Sequence, residues 1–137
     1  MSARSKARKR ALDVLFEADA KGVPVASVLA ETIRRRAADK ESSLNPYTVE
    51  LVEGLIAHQA EVDSTLESSL SEWSLDRLPA VDREVLRLGA YEILFSSDVP
   101  DAVAIDEAVE LARSLSTDES PAFVNGVLGA VQRAQRV

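Results

Sequence analysis

Apolar residues recur along the chain every three to four positions, and no stretch alternates with the period of two that is typical of a strand. The first helix is predicted from about Ala3 to Lys21. Its apolar face is formed by Ala7, Ala11, Val14, Leu15 and Ala18. Gly22 and Pro24 predict its end, because glycine readily takes the left-handed cap conformation and proline cannot continue a helix.

A second helix is predicted from about Val25, before the polar stretch "RRRAADKESS". Its apolar stripe is Val28, Leu29 and Ile33. A third helix begins at Asn45 and Pro46, since asparagine is a good cap and proline suits a first turn. Its core face is Leu51, Val52, Leu55 and Ile56. A fourth segment, for which straight and bent connections are both open, continues the pattern with Val62, Leu66, Leu70 and Trp73.

The second half of the chain predicts three more helices. One begins near Pro79 and is expected to be central, because its apolar surface is broad: Val81, Val85, Leu86, Leu88, Ile93 and Leu94. The next places Ile105, Ala108, Val109 and Ala112 inward. The last has Ser120 as its cap and Pro121 in its first turn. Six or seven helices indicate an all-α bundle, in which the polar loop at 37–45 separates two groups of helices.

Composition adds limits to this picture. The 137 residues form one predicted domain, 1–137, whose core must be mostly aliphatic because only 4% of residues are aromatic. The absence of cysteine excludes disulfides and thiolate metal sites. No apolar run approaches the roughly 18 residues of a membrane span, and the basic N-terminus lacks the apolar segment of a secretory signal. We therefore expect a cytoplasmic protein without membrane attachment.

Charge is unevenly placed along the chain. Residues 1–10 contain five of the 16 bases and none of the 23 acids, so the remaining residues carry a net charge of −12. This asymmetry is typical of a basic arm that binds a polyanion. A solvated, frayed N-terminus explains the same pattern, and charge alone does not decide between them.

The geometry of a helix gives the basic arm a shape. At about 100° per residue, Arg4 and Arg8 flank one edge of the apolar face, Lys6 and Arg10 flank the other, and Lys9 points away. Cations on several sides of an anchored helix suit a phosphate backbone.

Leu12 and Phe16 form a separate apolar ridge on the same helix. The pattern favours burial of this ridge between two helix layers. The alternative is that Phe16 is an anchor for a protein partner.

Little in the chain indicates catalysis. His58 lies near Glu61 and Asp63, but one histidine without cysteine is more typical of a surface or partly buried residue than of a metal ligand. No phosphate-binding glycine loop is present. Gly89, Gly126 and Gly129 fall inside helices, where we expect them to permit close helix packing. From the residues alone we expect no enzyme, cofactor or metal.

Four stretches together resemble a family of bacterial transcription antitermination factors, NusB (N-utilisation substance B). They are "ARKRALDVLFEAD", "RLPAVDREVLRLGAYEIL", "SDVPDAVAIDEAVELARSL" and "SPAFVNGVLGAV". The order and spacing match over almost the whole chain. The combination of "VPxxVAIxEAVELA" with a following "FVNGVL" is specific, although each piece alone is weak.

The resemblance implies two packed helical sub-bundles and a function. Members of that family bind the boxA element of nascent RNA together with a small-subunit ribosomal protein, also called NusE. The pair joins other Nus factors on RNA polymerase and supports antitermination, notably on ribosomal RNA operons. Some members form dimers, so a homodimer and a monomer both stay open.

The resemblance also assigns site residues. Those for RNA are the basic arm, Arg87 in "VLRL", and two residues of the "FVNG" helix: Arg4, Lys6, Arg8, Lys9, Arg10, Arg87, Phe123 and Asn125. Those for the partner are Phe16, Asp82 and, more weakly, Glu119. Phe16 stands where the family usually has tyrosine, so any hydrogen bond of that hydroxyl is lost here. Arg87 could instead pair with a nearby acid, and Asn125 could cap or bridge helices.

Two other functions remain open at this point. A similar helical domain precedes the catalytic part of some rRNA cytosine methyltransferases, but the chain ends at Val137 without a cofactor loop or catalytic cysteine. The second alternative is a helical protein-interaction module without an RNA role. RNA binding distinguishes that module from the antitermination factor.

Overall fold

A computed structural model of the protein describes residues 2–135, which contain no strand. The α-helices in this range are α1 (Ala3–Lys21), α2 (Val25–Ala38), α3 (Pro46–Ser69), α4 (Ala80–Phe95), α5 (Asp101–Leu115) and α6 (Ser120–Ala134). A short 3₁₀ helix covers Leu75–Arg77. The all-α prediction is confirmed.

Local chemistry sets several helix ends where the sequence predicts them. Gly22 caps α1 in the left-handed region with φ 65°, and its N–H reaches the carbonyls of Ala18 and Asp19. The Tyr47 N–H donates to Asn45 Oδ1 at 2.8 Å, which caps α3. The predicted cap at Ser120 is wrong by one residue. Glu119 holds the cap position of α6 without a side-chain bond, and the Ser120 hydroxyl donates to Asp82 Oδ2 at 3.0 Å.

The chain divides into two compact units, Met1–Ala57 and His58–Val137. The predicted boundary in the loop at 37–45 is therefore wrong. The boundary lies inside α3, where His58 departs from helical geometry with φ −119° and ψ 17°. The start of α3 belongs to the first unit because Thr48 Oγ1 donates to the Ala7 carbonyl at 2.9 Å. This buried bond ties α3 to α1 within that unit.

The core of the first unit is built from the predicted faces of its helices, with two exceptions. The α1 face is buried, as are Val28 and Leu29 of α2 and Leu51, Val52 and Leu55 of α3. Ile33 and Ile56 are exposed, so their assignment to the core is wrong. Both border an open groove of about 410 Å³ that also includes Leu29.

In the second unit, α4 packs against both α5 and α6, which confirms its central place. A Cβ added at Gly89 would lie 2.5 Å from Leu128 Cδ1, so this glycine does permit close packing. That explanation is wrong for Gly126, which has open space, and for Gly129, which faces only the Arg133 side chain. Trp73 lies beyond the end of α3 and is exposed, so its place in a core stripe is also wrong.

Candidate nucleic-acid interface

The basic arm is fixed to the first unit by an aromatic ring. The Arg4 guanidinium lies 4.3 Å from the centroid of the Tyr47 ring, and the Arg8 guanidinium lies 5.5 Å from it. Tyr47 is itself buried in the first turn of α3. Stacking of arginine on an aromatic face is favourable and holds the cation in one place. The arm is therefore an anchored helix.

Arg8 is the most enclosed cation of the arm, with only 3% of its surface exposed. Its neighbour Ala7 is on the buried face of α1, and the Thr48 bond to the Ala7 carbonyl brings α3 close at this level. The aliphatic part of an arginine packs well in such a place while its charge contacts a ring. Arg8 thus positions the arm and presents little surface to a ligand.

The other cations of the arm are more accessible. Lys6 and Arg10 are exposed. Lys9 is partly exposed and its Nζ lies 2.6 Å from Asp13 Oδ1, one turn further along the helix. An exposed pair of this kind is weak and exchanges readily for another anion. Lys6, Arg10 and, after exchange, Lys9 are the cations best placed for phosphate groups.

Arg87 of the second unit is engaged by two carboxylates. Its Nε and Nη2 donate to Asp63 Oδ1 and Oδ2 at 2.9 and 3.1 Å, and its Nη1 donates to Glu84 Oε2 at 2.7 Å. Burial works to lower the pKa of Arg87, but the hydrogen bond to Asp63 and the charges of Glu84 and Asp63 outweigh it and raise the pKa. This geometry supports the ion-pair alternative for Arg87.

The two candidates of the "FVNG" helix differ in exposure. Phe123 is half-buried in the first turn of α6 and lines a cavity of about 420 Å³. Asn125 is exposed, so the alternative that it bridges helices in the core is wrong. Both side chains are accessible to a ligand of the second unit.

The three partner candidates also occupy different environments. Phe16 is 41% exposed whereas Leu12 is buried, so burial of the whole ridge is wrong for Phe16 and right for Leu12. Asp82 is buried and accepts bonds from Ser116 Oγ at 2.6 Å and Ser120 Oγ at 3.0 Å. Asp82 therefore fixes the α5–α6 turn on α4 and presents almost no surface to a partner. Glu119 is exposed and borders the same cavity as Phe123.

His58 is held by aromatic residues. Its ring stacks on Phe95 with centroids 4.0 Å apart, and it approaches Tyr91 at 6.4 Å. Among residues 2–135, no three histidine or acidic side chains come together as a metal site. In the same range, no helix is both long and apolar enough to cross a bilayer.

The fold and this surface define a class: an all-helical binding protein in which an aromatic ring holds a cationic N-terminal helix. The comparison with known proteins then gives the family. The profile of the NusB family matches residues 5–133, and the chain belongs to this family.

Curated relatives and solved structures agree with this membership. The transcription antitermination protein NusB of a Nocardioides species is 56% identical over 97% of this chain and 96% of its own length. That of Beutenbergia cavernae is 55% identical over 97% and 91%. Thermotoga maritima NusB has a TM-score of 0.84 and 30% identity, covering 97% of this chain and 92% of that one. A structure of the antitermination factors NusB and NusE with double-stranded RNA has a TM-score of 0.82 and 30% identity, over 98% of both chains.

Proposed function

We propose that this chain is a transcription antitermination factor that binds boxA RNA of nascent ribosomal transcripts together with the small-subunit ribosomal protein NusE. It acts as a single domain in the cytoplasm, joins other Nus factors and RNA polymerase, and catalyses no reaction. Relatives above 50% identity carry the name of an antitermination protein, and they align over more than nine tenths of their own length. This alignment favours the antitermination factor over an accessory domain of a methyltransferase.

The observation that carries the RNA role is the anchored basic helix. Arg4 and Arg8 contact Tyr47, and this leaves Lys6 and Arg10 on a helix surface of fixed orientation. Cations held in this way lose less freedom on binding than cations on a frayed end. Their contacts with phosphates provide affinity and register, while base contacts must provide the preference for boxA.

The roles of the candidate residues follow from their environments. Lys6, Lys9, Arg10 and the exposed side of Arg4 contact phosphates, and Arg8 positions them. Phe123 and Asn125 contact bases, since single-stranded RNA is read by stacking and by the edges of its bases. Phe16 and Glu119 contact the ribosomal protein. Arg87 and Asp82 support the second unit and act on binding only through its stability.

The acidic remainder of the chain suits a basic partner. With a net charge of −12 outside the first ten residues, it attracts a cationic ribosomal protein and repels RNA away from the arm. The two ligands thus select different surfaces of one molecule.

Binding measured at several salt concentrations tests the RNA role. The double variant Lys6→Ala/Arg10→Ala should weaken boxA and unrelated single-stranded RNA by similar factors. It should also lower the slope of log affinity against log salt by about 1.4, because each lost phosphate contact removes roughly 0.7. Lys21→Ala/Arg113→Ala removes the same charge from exposed ion pairs elsewhere and should preserve the slope.

Wild-type affinity and slope in the double variant would mean that the arm is only a solvated end. The antitermination assignment would then rest on family membership without a located RNA site, whereas absence of RNA binding by the wild type would favour the interaction-module alternative. We expect the chain and the ribosomal protein to form a one-to-one heterodimer. Mobility and mass of mixtures with RNA, with and without the ribosomal protein, test this stoichiometry and report whether the free chain is a monomer or a homodimer.

A further inference from the structure

The second unit contains a cavity of about 420 Å³, within the roughly 300–1,000 Å³ of small-ligand sites. The rings of Trp73 and Phe123 line it, with Leu78 and Pro79 as further apolar walls. Arg77 and Glu119 add a cation and a carboxylate, and both residues are exposed. Two aromatic rings with a donor and an acceptor nearby match the faces and the edge of a heterocyclic base.

The two rings differ from most other aromatic side chains of the protein. Tyr47 is covered by two arginines, and Tyr91, Phe95 and His58 contact one another. Within residues 2–135, neither Trp73 nor Phe123 packs against another ring, and Trp73 is 55% exposed. A large aromatic surface left open beside a cavity is unusual in a chain with so few aromatics, and it indicates a ligand.

Hydrogen bonds fix the backbone close to each of the two aromatic residues. The loop that carries Trp73 is fixed at its far end, because the Leu75 N–H donates to Glu67 Oε1 at 3.0 Å and Leu75 is buried. Phe123 lies one turn after Ser120, whose hydroxyl donates to buried Asp82. The backbone segments that carry the two rings are thus fixed before a ligand arrives, which lowers the entropic cost of binding.

We propose that this cavity is a subsite for one unstacked nucleobase of the bound RNA, and that Trp73 is one of its stacking residues. This rests on the proposed RNA-binding function and assigns a second, uncharged mode of contact to it. Single-stranded RNA is commonly bound by splaying a base onto aromatic side chains. The base enters and its phosphates stay outside, because the carboxylates near the cavity repel them.

The edge of the cavity gives it a base preference. The Glu119 carboxylate accepts a hydrogen bond from an exocyclic amino group, and the Arg77 guanidinium donates to a ring nitrogen or carbonyl oxygen. Adenine, cytosine and guanine offer an amino group, whereas uracil does not. We therefore expect an amino-bearing base at this subsite in preference to uracil.

Trp73 is the only tryptophan of the chain, so its fluorescence reports on the cavity alone. The full chain is titrated with a single-stranded, boxA-like RNA that carries a label for anisotropy. Tryptophan emission should fall in parallel with the rise in anisotropy. Trp73→Ala should weaken RNA binding about 5- to 150-fold, the range of stacking losses for one base, and Trp73→Phe should restore most of it.

The salt slope separates this subsite from the basic arm. Trp73→Ala should leave the slope unchanged, whereas loss of arm cations lowers it. Val103→Ala removes another exposed apolar side chain of the same unit, 43% open to solvent, and should bind RNA like wild type. Circular dichroism verifies that each variant is folded.

Base replacement along the RNA locates the bound nucleotide. At one position of the RNA, an abasic site or a change to uracil should weaken binding by the wild-type protein. The same RNA change should not weaken binding by Trp73→Ala any further. The subsite would be overturned if RNA binds normally, tryptophan emission does not change and Trp73→Ala binds like wild type. The proposed function would still stand. Emission that changes only on addition of the ribosomal protein would assign the cavity to that protein instead. Absence of RNA binding by anisotropy would overturn both proposals.

Discussion

Arg8 illustrates how a residue of a basic motif can serve folding before it serves a ligand. Its side chain is nearly enclosed and its guanidinium faces Tyr47. Arg8→Ala should therefore lower the free energy of unfolding by about 1–2 kcal/mol, through the lost cation–π contact and the lost packing of its stem. Chemical denaturation followed by circular dichroism measures this loss.

Arg10→Ala is the matched control, because Arg10 is an exposed arginine of the same helix. Its effect on stability should stay within about 0.5 kcal/mol. Equal losses in the two variants would contradict the positioning role and would return Arg8 to the set of phosphate-binding cations.

A second test at the scale of single residues compares two arginines. Each of them pairs with the glutamate three residues before it. Arg87 pairs with Glu84, whose side chain is 3% exposed, while Arg113 pairs with Glu110 on the open surface. Arg87→Ala removes one of two arginines that contact buried Glu84, since Arg83 Nε also lies 3.4 Å from Glu84 Oε2, and should cost about 1–3 kcal/mol. Arg113→Ala should cost less than about 1 kcal/mol. Similar losses in the two denaturation curves would refute the structural role of Arg87.

The pH dependence of that effect follows from the raised pKa of Arg87. A group with a raised folded-state pKa stabilises fully at pH values below its unfolded pKa, and the contribution disappears as pH rises through the folded pKa. For arginine both values lie far above neutrality. The protonation of Arg87 should therefore add no slope to stability between about pH 6 and pH 9.

At the scale of helices, two glycines make opposite predictions. Gly89→Ala places a methyl group 2.5 Å from a Leu128 methyl that is fully buried, so repacking should cost about 1–3 kcal/mol. Gly126→Ala meets open space on an exposed helix position and should gain up to about 1 kcal/mol from helix propensity. Thermal melts of the two variants should move in opposite directions. A parallel shift would mean that α4 and α6 are packed differently.

The sequence predicts those helix ends that depend on local chemistry. Gly22 ends α1, and Asn45 with Pro46 begins α3, because each acts through its own backbone or side chain. The sequence pattern does not predict the end of α3 at Ser69, because the apolar stripe continues to Trp73. Hydroxyls near that end bond back to carbonyls four residues earlier, as Ser68 and Ser69 do, which competes with further helix.

The sequence likewise predicts one part of the candidate site and not the other. Periodicity gives the position of each cation around α1, but it does not reveal Tyr47, which reaches Arg8 through tertiary packing. An aromatic residue directly after Pro46 is the only local sign of that contact. Likewise, Asp82 is bonded to Ser116 and Ser120, more than thirty residues away. Contacts between residues so far apart in the sequence depend on the fold, and the periodicity of apolar residues does not predict them.

For the whole molecule, the distribution of charge separates two kinds of ligand. The first ten residues carry +5 and the remainder −12, so a polyanion and a cationic protein are attracted to different surfaces. Phe16, the proposed partner residue, lies in an acidic part of α1. Asp13 and Asp19 stand three residues before and after it on α1, and both are exposed. An apolar ring between two acids is a suitable anchor for a basic partner.

Phe16→Ala should therefore weaken the complex with the ribosomal protein by about 10- to 30-fold, the loss expected for an interface anchor. Affinity for RNA alone and helicity should not change, because 41% of the Phe16 surface is already open to solvent. Ile33→Ala, at a similarly exposed isoleucine of the same unit, controls for a general loss of apolar surface. Calorimetric titration of the ribosomal protein into each folded variant gives the affinities. If Phe16→Ala unfolds, the ring belongs to the core, and if it binds like wild type, the partner contacts another surface.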